Sequence, residues 1–481
     1  MRLITNFLLF SFICISCSLI PKLRTIKSPV PGELPTTGSP GAKSSSEVVK
    51  LTWREFYQSE DLKKLIELSL KNNRDYKSAI INVQEVKAQY NIERSNLMPS
   101  LNAGASLTRR KIPINALQDG AAVGGGGAPL AGRGQSDGFL QEQYGLEVGI
   151  TSYELDLFGR IRSLSESALQ EYLASDAAKQ SVKISLLSEV ARTYFKLLAD
   201  KELEKLAQRT ASNQEESIKI IEARFKAGLA SELELRQAET LLEEARGSAI
   251  EFSRQVLLDR NALQLLVGSP IEDAVLDNSF KEASEAMKGL NVGLSSEVLL
   301  VRPDIKRAES LLLAANANIG AARAAFFPSL SLTTSMGKLS TETSNLFQNA
   351  SNSWLFFPQI NLPLFTGGRN KAQLNLAEAR KERLIVEYEK AIQNAFREAS
   401  DALISNQKLF EVLEAQKKVL LAAEKAYLLS RKRYRSGVES YLLELDSQRA
   451  LFNAERNYIN QQLEYFNNLS LLYRTLGGGI N

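Results

Sequence analysis

The sequence predicts an α+β membrane protein in which each half of the chain supplies one long helical hairpin and two β-strands. The first observation is a stretch of more than sixty residues, from 370 to about 433, that contains neither Pro nor Gly. The second is an earlier copy of that stretch, and the third is a set of four short segments with alternating apolar residues. A chain of 481 residues is also too long for a single compact core, so several packed units are expected.

The long stretch without Pro or Gly is predicted to be a helix that packs closely against other helices. At about 1.5 Å per residue it would be about 100 Å long. Leu384 and Ala391 share one heptad position, and Tyr388 and Ala395 share a second, so large and small side chains alternate along the seam. Sustained heptads of this kind are typical of coiled coils. The pattern alone leaves open a cytosolic coiled coil or a long helical bundle.

The long helix and the bend that follows it occur twice in the sequence. Gly437, in the second bend, lies 209 residues after Gly228, in the first. Upstream the copies align at a different offset, because Pro99 and Pro328 are 229 residues apart. The first copy therefore has about twenty extra residues, which include the glycine run at 124–127. A repeat of this length indicates duplication and pseudo-symmetric packing.

Four β-strands of about ten residues are predicted, two in each copy. Apolar residues alternate after Leu101, around Leu146, after Leu330 and after Trp354. Segments of this length with period-two alternation, paired by polar loops, are the weak signature of a membrane β-barrel. Aromatic side chains near the last strand suit a membrane interface, with ordinary core packing as the alternative. They are Trp354, Phe356, Phe357 and Phe365.

The number of strands has a consequence for assembly. Four strands are too few to close a barrel, since the smallest membrane barrels have about eight. If the strands cross a membrane, the barrel must therefore be shared between subunits, and a trimer would supply twelve strands, four from each chain. Pro358 and Pro363 are predicted to lie inside the last strand, which indicates an irregular or edge position.

The first residues are predicted to be a signal peptide, because the apolar run at 3–15 follows a positive charge and is too short to span a bilayer. The segment Cys14-Ile15-Ser16-Cys17 resembles a bacterial lipobox. Cys17 is therefore the predicted lipidation site, with a plain signal peptide and an incidental cysteine as the alternative. Acyl chains contribute about 0.8 kcal/mol per buried methylene, enough to anchor a protein. Ser18 after the cysteine favours the outer membrane by analogy with lipoprotein sorting.

Composition excludes several classes of function. The sequence has no histidine, which removes imidazole-based catalysis and histidine metal sites. Its two cysteines, Cys14 and Cys17, lie in the signal region, so neither a disulfide framework nor a cysteine zinc site is expected. The 59 basic and 55 acidic residues are evenly spread, which argues against nucleic acid as a partner. With no phosphate-binding loop and no catalytic constellation, the sequence predicts no enzyme, no metal and no other cofactor.

Five motifs together resemble one known family. They are GLSSEVLLVRPDI at 293–305, ELDLFG at 154–159, LPLF at 362–365, RYRSG at 433–437 and LDSQR at 445–449. On these motifs, and over roughly residues 51–478, the chain resembles the outer-membrane efflux proteins of the TolC superfamily. The likeness is strongest to the lipidated OprM- and NodT-like branch that serves resistance-nodulation-division pumps.

The resemblance implies a homotrimer with a 12-stranded transmembrane β-barrel, a 12-helix periplasmic α-barrel and an equatorial girdle. It implies a passive exit duct for small molecules such as drugs or metal ions. Its expected partners are a periplasmic adaptor of the membrane-fusion class, an inner-membrane pump and outer-membrane lipid. The expected location is the bacterial outer membrane, with a lipid anchor and an extension into the periplasm. A protein-secretion duct is the alternative within the export class, and a structural periplasmic coiled-coil tether is the alternative outside it.

The domain boundaries expected on this basis follow the repeat. In chain order they are a signal peptide at 1–16, a lipid-anchored tether at 17–50, an equatorial segment with the first short helices at 51–98, a first β-hairpin at 99–158, a first long helical hairpin at 159–268, an equatorial connector at 269–301, a helix at 302–327, a second β-hairpin at 328–366, a second long helical hairpin at 367–476 and a C-terminal end at 477–481.

The resemblance also implies two kinds of site at the predicted bends. The family closes its periplasmic opening with an apolar ring and a charged ring, and Leu442, Asp446 and Arg449 match that motif at spacings of four and three residues. Inter-subunit pairs between Asp446 and Arg449 would then hold the closed state, with a surface i,i+3 ion pair as the alternative. Family members present the bends to the adaptor, so the expected docking tips are Ala227, Gly228, Leu229, Ser436, Gly437 and Val438.

Overall fold

The structure is a computed structural model that describes residues 18–24, 27–34, 52–112, 139–272, 279–280 and 295–478. The predicted signal peptide, the predicted lipidation site Cys17 and the glycine run at 124–127 lie outside the described residues. So does most of the expected connector at 269–301.

Helices make up most of the described chain, and the longest ones contain neither Pro nor Gly. None of the helices in the described part is long and apolar enough to cross a membrane. The helices are α1 (Trp53–Phe56), α2 (Glu60–Asn72), α3 (Arg74–Ser95), α4 (Arg160–Lys226), α5 (Glu232–Val267), α6 (Pro303–Ala324), α7 (Arg369–Arg435) and α8 (Tyr441–Thr475), with short 3₁₀ turns at Ser296–Val301, Thr343–Asn345 and Asn349–Ser351.

The helices of the two halves correspond in length and position. The two long arms, α4 and α7, contain 67 residues each. They begin at Arg160 and Arg369, which are 209 residues apart, the same offset as the two bends. The shorter helices α3 and α6 contain 22 residues each. Corresponding elements therefore follow one another in the same order in both halves of the chain.

One compact unit contains the described residues of 18–24, 87–170 and 313–382 and includes an antiparallel sheet with the strand order β1-β2-β3-β4. Each strand pairs antiparallel with the next one in this order. Ala103 of β1 lies opposite Val148 of β2, and Met336 of β3 lies opposite Trp354 of β4. This confirms the prediction of four strands. The strands are β1 (Asn102–Ile112), β2 (Phe139–Leu155), β3 (Ser329–Ser340) and β4 (Asn352–Asn361).

Two details of the sheet differ from the predicted strands. β2 has 17 residues rather than about ten, and its pairing with β3 shifts register between Ile150 and Tyr153. β4 ends at Asn361, so the prediction that Pro363 lies inside it is wrong. Pro358 does lie within β4, and β4 is an edge strand, where a residue without a backbone N–H is tolerated.

The same unit holds the segment that follows Cys17 in sequence. The side-chain amide of Asn316, on α6, donates a hydrogen bond of 2.7 Å to the carbonyl oxygen of Pro21. Gly320, one turn further along α6, leaves room for Ile20, because a Cβ at Gly320 would lie 2.7 Å from the Ile20 side chain. Residues 18–24 are therefore held against a helix.

The second compact unit contains the described residues of 27–86, 171–312 and 383–478 and includes the largest apolar core. Phe56 stacks on Tyr473 with ring centroids 4.5 Å apart, and Phe195 stacks on Phe466 at 5.6 Å. Fully burying one such side chain contributes about 1.5–3 kcal/mol. The α7 residue Ala395 in the predicted seam is fully buried here, which allows close helix packing.

A buried guanidinium ties three segments of this second unit together. Arg302, at the start of α6, is only 7% exposed. Its Nη2 lies 2.7 Å from a carboxylate oxygen of Asp304 and 2.9 Å from one of Glu398 on α7. Its Nη1 donates a hydrogen bond of 2.9 Å to the carbonyl oxygen of Thr475 at the end of α8. A buried charge is tolerated because every one of these partners is a hydrogen-bond acceptor.

Replacing Arg302 with Ala should destabilise the protein by about 2–4 kcal/mol, because two carboxylates and one carbonyl would lose their common donor. The measurement is heat denaturation of the detergent-extracted full chain. Arg397→Ala is the matched control, since Arg397 and its partner Asp401 are exposed and 3.4 Å apart. Such a surface pair contributes less than about 1 kcal/mol. Equal losses in the two variants would contradict the role given to Arg302.

Candidate gate and docking tips

Each long arm ends at a glycine whose backbone reverses the chain. Gly228 has φ of 71° and Gly437 has φ of 73°, a left-handed conformation that side chains other than glycine rarely adopt. The N–H of Leu229 donates a hydrogen bond of 2.8 Å to the carbonyl oxygen of Arg224. The N–H of Gly228 donates one of 2.9 Å to the carbonyl oxygen of Phe225. These are the two hydrogen bonds of a Schellman motif.

The second bend repeats this geometry. The N–H of Val438 donates a hydrogen bond of 3.0 Å to the carbonyl oxygen of Arg433. The N–H of Gly437 donates one of 2.9 Å to the carbonyl oxygen of Tyr434. In the first bend the return helix α5 is capped by Ser231, whose hydroxyl accepts a hydrogen bond of 3.2 Å from the N–H of Glu234.

The residues expected to dock a partner lie at the surface of the two bends. Leu229 and Val438, which directly follow the two glycines, are each 69% exposed. Ala227 and Ser436, which precede the glycines, are also exposed. An apolar side chain on an ordered, hydrogen-bonded bend presents a fixed shape to a partner. Docking itself stays a prediction.

The two hairpins pack against each other just behind the bends. Ile221 of α4 and Leu242 of α5 are buried in one cluster with Tyr441 and Leu445 of α8. The rings of Tyr434 and Tyr441 are 5.4 Å apart. The guanidinium carbon of Arg224, on the first hairpin, lies 5.1 Å from the centre of the Tyr434 ring, within the range of a cation–π contact.

The three predicted gate residues are exposed along α8. Leu442 is 52% exposed, and Asp446 and Arg449 are also exposed. Arg449 Nη2 lies 4.0 Å from Glu244 Oε2 on α5. In the part of the chain that the structure describes, Asp446 makes no ion pair, so the alternative of a surface pair between Asp446 and Arg449 is not observed. The apolar side chain and the free carboxylate of the predicted rings are both available to a neighbouring surface.

Glu444 is a buried charge that sequence analysis missed. The residue is 8% exposed and sits one helical turn from the buried Tyr441. Burial raises the pKa of Glu444 above its ordinary value, and the positive charges of Arg431 and Arg435 act in the opposite direction. The spacing of Glu444 in the sequence could have predicted its burial. Tyr441, Glu444 and Leu445 lie three and four residues apart, and all three lie on the buried face of α8.

Among the described residues, no group of three or more carboxylates, histidines or cysteines is arranged to hold a metal ion.

Long helical hairpins joined to a small antiparallel sheet with two edge strands are the fold of TolC-like outer-membrane channels. A family model described as outer membrane efflux protein matches residues 65–269 and 294–478. The chain therefore belongs to the outer membrane efflux protein family. This confirms the family predicted from the five sequence motifs, together with its outer-membrane, transport and β-barrel character.

Individual relatives agree with this assignment. The toluene efflux pump outer membrane protein TtgC of Pseudomonas putida is 40% identical over 412 residues, which are 85% of this chain and 82% of the relative. The antibiotic efflux pump outer membrane protein ArpC of Pseudomonas putida has the same identity and coverage. The open state of the outer membrane channel MtrE of Neisseria gonorrhoeae is similar with a TM-score of 0.85 and 37% identity, over 97% of this chain and 99% of that one.

Replacing Glu444 with Gln should stabilise the tip by about 1 kcal/mol at neutral pH, since it removes a buried charge. A carboxyl with a raised folded-state pKa favours the folded state at low pH, and that contribution is lost as pH rises through the folded pKa. The difference between variant and wild type should therefore vanish below about pH 4. Hydrogen exchange of amides 441–449, measured at several pH values, checks this.

The exposed Glu414 supplies the control, and Glu414→Gln should leave these amides unchanged at every pH. Faster exchange in Glu444→Gln at neutral pH would show that the ionised carboxylate stabilises the tip and would contradict the prediction.

Proposed function

We propose that this chain forms a homotrimeric outer-membrane exit duct, which exports small molecules with a periplasmic adaptor and an inner-membrane pump. The observation that carries the proposal is a four-stranded sheet with two edge strands, β1 and β4, in a member of an efflux family. Relatives named for toluene and antibiotic efflux support small, largely apolar molecules as the cargo class.

The sheet edges support a barrel shared by three chains. β4 pairs only with β3 on one side, and all ten of its residues are exposed. A row of unpaired N–H and C=O groups is unfavourable in lipid, where only closed barrels satisfy every backbone group. Pairing β4 of one subunit with β1 of the next removes both edges and gives twelve strands in a trimer.

Exposed apolar side chains on α7 support the same assembly. Val412, Val419 and Leu428 are 42%, 51% and 62% exposed, although the first two share the predicted heptad position of Leu384 and Ala391, 28 residues earlier. Burying such residues against the helices of a neighbouring subunit would contribute about 25 cal/mol per Å². The predicted α-barrel provides that cover.

The gate proposal places Leu442, Asp446 and Arg449 three times each around the axis of the trimer. Three carboxylates at one constriction repel each other unless they are paired with cations. Among the described residues, the ion-pair partner of Arg449 is Glu244 at 4.0 Å, a distance that leaves Arg449 able to pair with Asp446 of a neighbour. Adaptor binding at the two bends would then favour the open state by preferring separated tips.

Lipid anchoring at Cys17 is proposed on the contact that follows it. Residues 18–24 lie against α6 in the unit that contains the sheet. An acylated Cys17 would therefore leave the chain close to this unit. The acyl chains would strengthen the attachment of the protein to the outer membrane, in addition to the attachment through the barrel.

The assembly is tested by expressing the full chain, separating inner and outer membranes, and measuring the mass of the detergent-extracted complex. We expect a trimer in the outer-membrane fraction, because only closure removes the sheet edges. A monomer or dimer in the soluble periplasm would overturn the duct and would favour a coiled-coil tether.

Replacing both Asp446 and Arg449 with Ala should raise the single-channel conductance in planar bilayers, because the charged ring and its pairs would be lost. The matched control replaces Glu251 and Arg254, an exposed i,i+3 pair on α5 that lies away from the bends. That control should conduct like the wild type. An unchanged conductance in the Asp446 and Arg449 variant would count against the gate while leaving the trimer standing.

A further inference from the structure

Two buried aspartates and one lysine join the helices of the first hairpin far from the bend. Lys196 and Asp200 lie on α4, and Asp259 lies on α5. Asp200 precedes Gly228 by 28 residues, which is about 40 Å of helix. Neither the gate nor the docking proposal makes use of this cluster.

The single lysine bonds both carboxylates. Its Nζ lies 3.1 Å from Asp200 Oδ2 and 2.5 Å from Asp259 Oδ1. The side-chain amide of Gln255, one turn earlier on α5, donates a hydrogen bond of 3.0 Å to the same oxygen of Asp259. Asp200 is 8% exposed and Asp259 is 5% exposed. With both carboxyl groups ionised, the cluster would therefore bury one negative charge that no cation in it balances.

The second carboxylate oxygen of Asp259 shows what is missing. Among the described residues, Asp259 Oδ2 is buried and has no hydrogen-bond partner. An ionised Asp200 cannot supply one, because a carboxylate only accepts. A protonated Asp200 can, since its hydroxyl would donate to Asp259 and make the cluster neutral. The burial of this oxygen agrees with a donor that comes from inside the chain.

The electrostatics of the cluster agree with this proton. Burial raises the pKa of Asp200 to about 6, and a hydrogen bond with the Asp259 carboxyl raises it further, whereas Lys196 acts in the opposite direction. Burial alone would lower the pKa of Lys196, but its hydrogen bonds to Asp259 and Asp200 outweigh this effect and raise it. The lysine therefore stays charged while Asp200 titrates.

Other charged groups around the cluster face elsewhere. Lys201 and Arg260, which directly follow the two aspartates in sequence, lie about 100° further round their helices. On α8, which shares the apolar core with α4, residues 457–463 carry no charge. On α7, which contributes to the same core, the carboxylates of Glu398 and Asp401 are paired with arginines at 2.9 Å and 3.4 Å. The lysine and the two aspartates thus titrate as one unit.

The second hairpin has no charge at the corresponding positions. The 209-residue offset maps the three charged residues onto Ser405, Leu409 and Asn468. Asn468 is also buried, and its side-chain amide donates a hydrogen bond of 3.0 Å to the carbonyl oxygen of Ala402. Neutral side chains are therefore sufficient for packing at this level, and the charged cluster is a feature of the first hairpin.

We propose that Asp200 and Asp259 share one proton, which acts as a pH-dependent clamp between α4 and α5. In acid, Asp200 takes the proton from water and donates it in a hydrogen bond to Asp259, while Lys196 bonds both groups. At higher pH the proton returns to water, and two buried carboxylates repel each other across the two helices. The first hairpin is then held tightly in an acidic medium and loosens as the pH rises, whereas the second hairpin does not respond.

The direction of the effect follows from which state binds the proton more tightly. The pKa of Asp200 is about 6 in the folded chain, against an ordinary value of 3.8. The stabilisation is therefore complete below about pH 4 and is lost as the pH rises through the folded-state pKa. Most of the loss should fall between pH 5 and pH 8.

The test is hydrogen exchange of amides 194–204 and 255–263 in the detergent-extracted full chain at pH 5 and pH 8, corrected for the intrinsic pH dependence of exchange. Protection in the wild type should fall at least about tenfold between the two pH values. A pKa shift of about two units allows up to about a hundredfold, and solvent around the partly exposed Lys196 reduces it. Asp200→Asn should remove the change, because its amide N–H replaces the shared proton at every pH.

Two controls locate the effect. Asp401→Asn removes an exposed aspartate of α7 that pairs with Arg397, and it should leave the pH response of these amides as in the wild type. Amides 403–413 and 464–472, at the matching level of the second hairpin, should show no tenfold change in any variant.

Infrared difference spectroscopy between pH 5 and pH 8 detects the proton itself. The wild type should gain a protonated-carboxyl band in acid that is smaller in both Asp200→Asn and Asp259→Asn. This signal reports protonation and not stability. If Asp200→Asn fails to fold, the neutral set of the second hairpin replaces it, as the triple variant Lys196→Ser, Asp200→Leu and Asp259→Asn.

Three outcomes would overturn the proposal. They are equal protection of the wild type at pH 5 and pH 8, a pH response that persists in Asp200→Asn or in the triple variant, and an infrared band that is unchanged in the variants. All three concern contacts within one chain, so they can be told apart from a failure of the trimer or of the gate.

Discussion

Two glycines with positive φ determine where the long helices end, and the positions of the candidate gate and docking residues follow from them. Gly228 and Gly437 close α4 and α7 with the same pair of backbone hydrogen bonds. A side chain at either position would be strained in this conformation. The return helices start four residues later, which places Leu442, Asp446 and Arg449 in the first turns of α8. The exposure of Leu229 and Val438 has the same origin.

Much of the fold could be predicted from the sequence, because its main signals are local. Long stretches without Pro or Gly predict the arms, and the prolines at 99 and 328 mark where helices give way to strands. The length of β2 could not be predicted, since its first residues, Phe139 to Gln143, do not alternate between apolar and polar side chains. Glu142 lies in a strand because it faces β1, where Arg109 is 2.9 Å away, and such cross-strand partners are not visible locally.

The candidate site was only partly predictable, for the same reason. Helical spacing predicts that Leu442, Asp446 and Arg449 share one face of α8, and all three side chains are exposed in the structure. It says nothing about a carboxylate far away in the chain, so Glu244 was not anticipated as the neighbour of Arg449. Glu444 was missed because a glutamate is normally a surface residue, and here it is buried near Arg431 and Arg435 of α7.

The equal length of the two arms limits how this chain can change during evolution. Inserting one residue into α4 would rotate everything beyond it by about 100° and advance it by about 1.5 Å relative to α7. The buried faces that meet behind the bends would then no longer match, although each helix on its own would be as stable as before. An insertion or deletion in one arm of this chain is therefore expected to be destabilising unless the other arm changes with it. The two arms, of 67 residues each, can vary in length only as a matched pair.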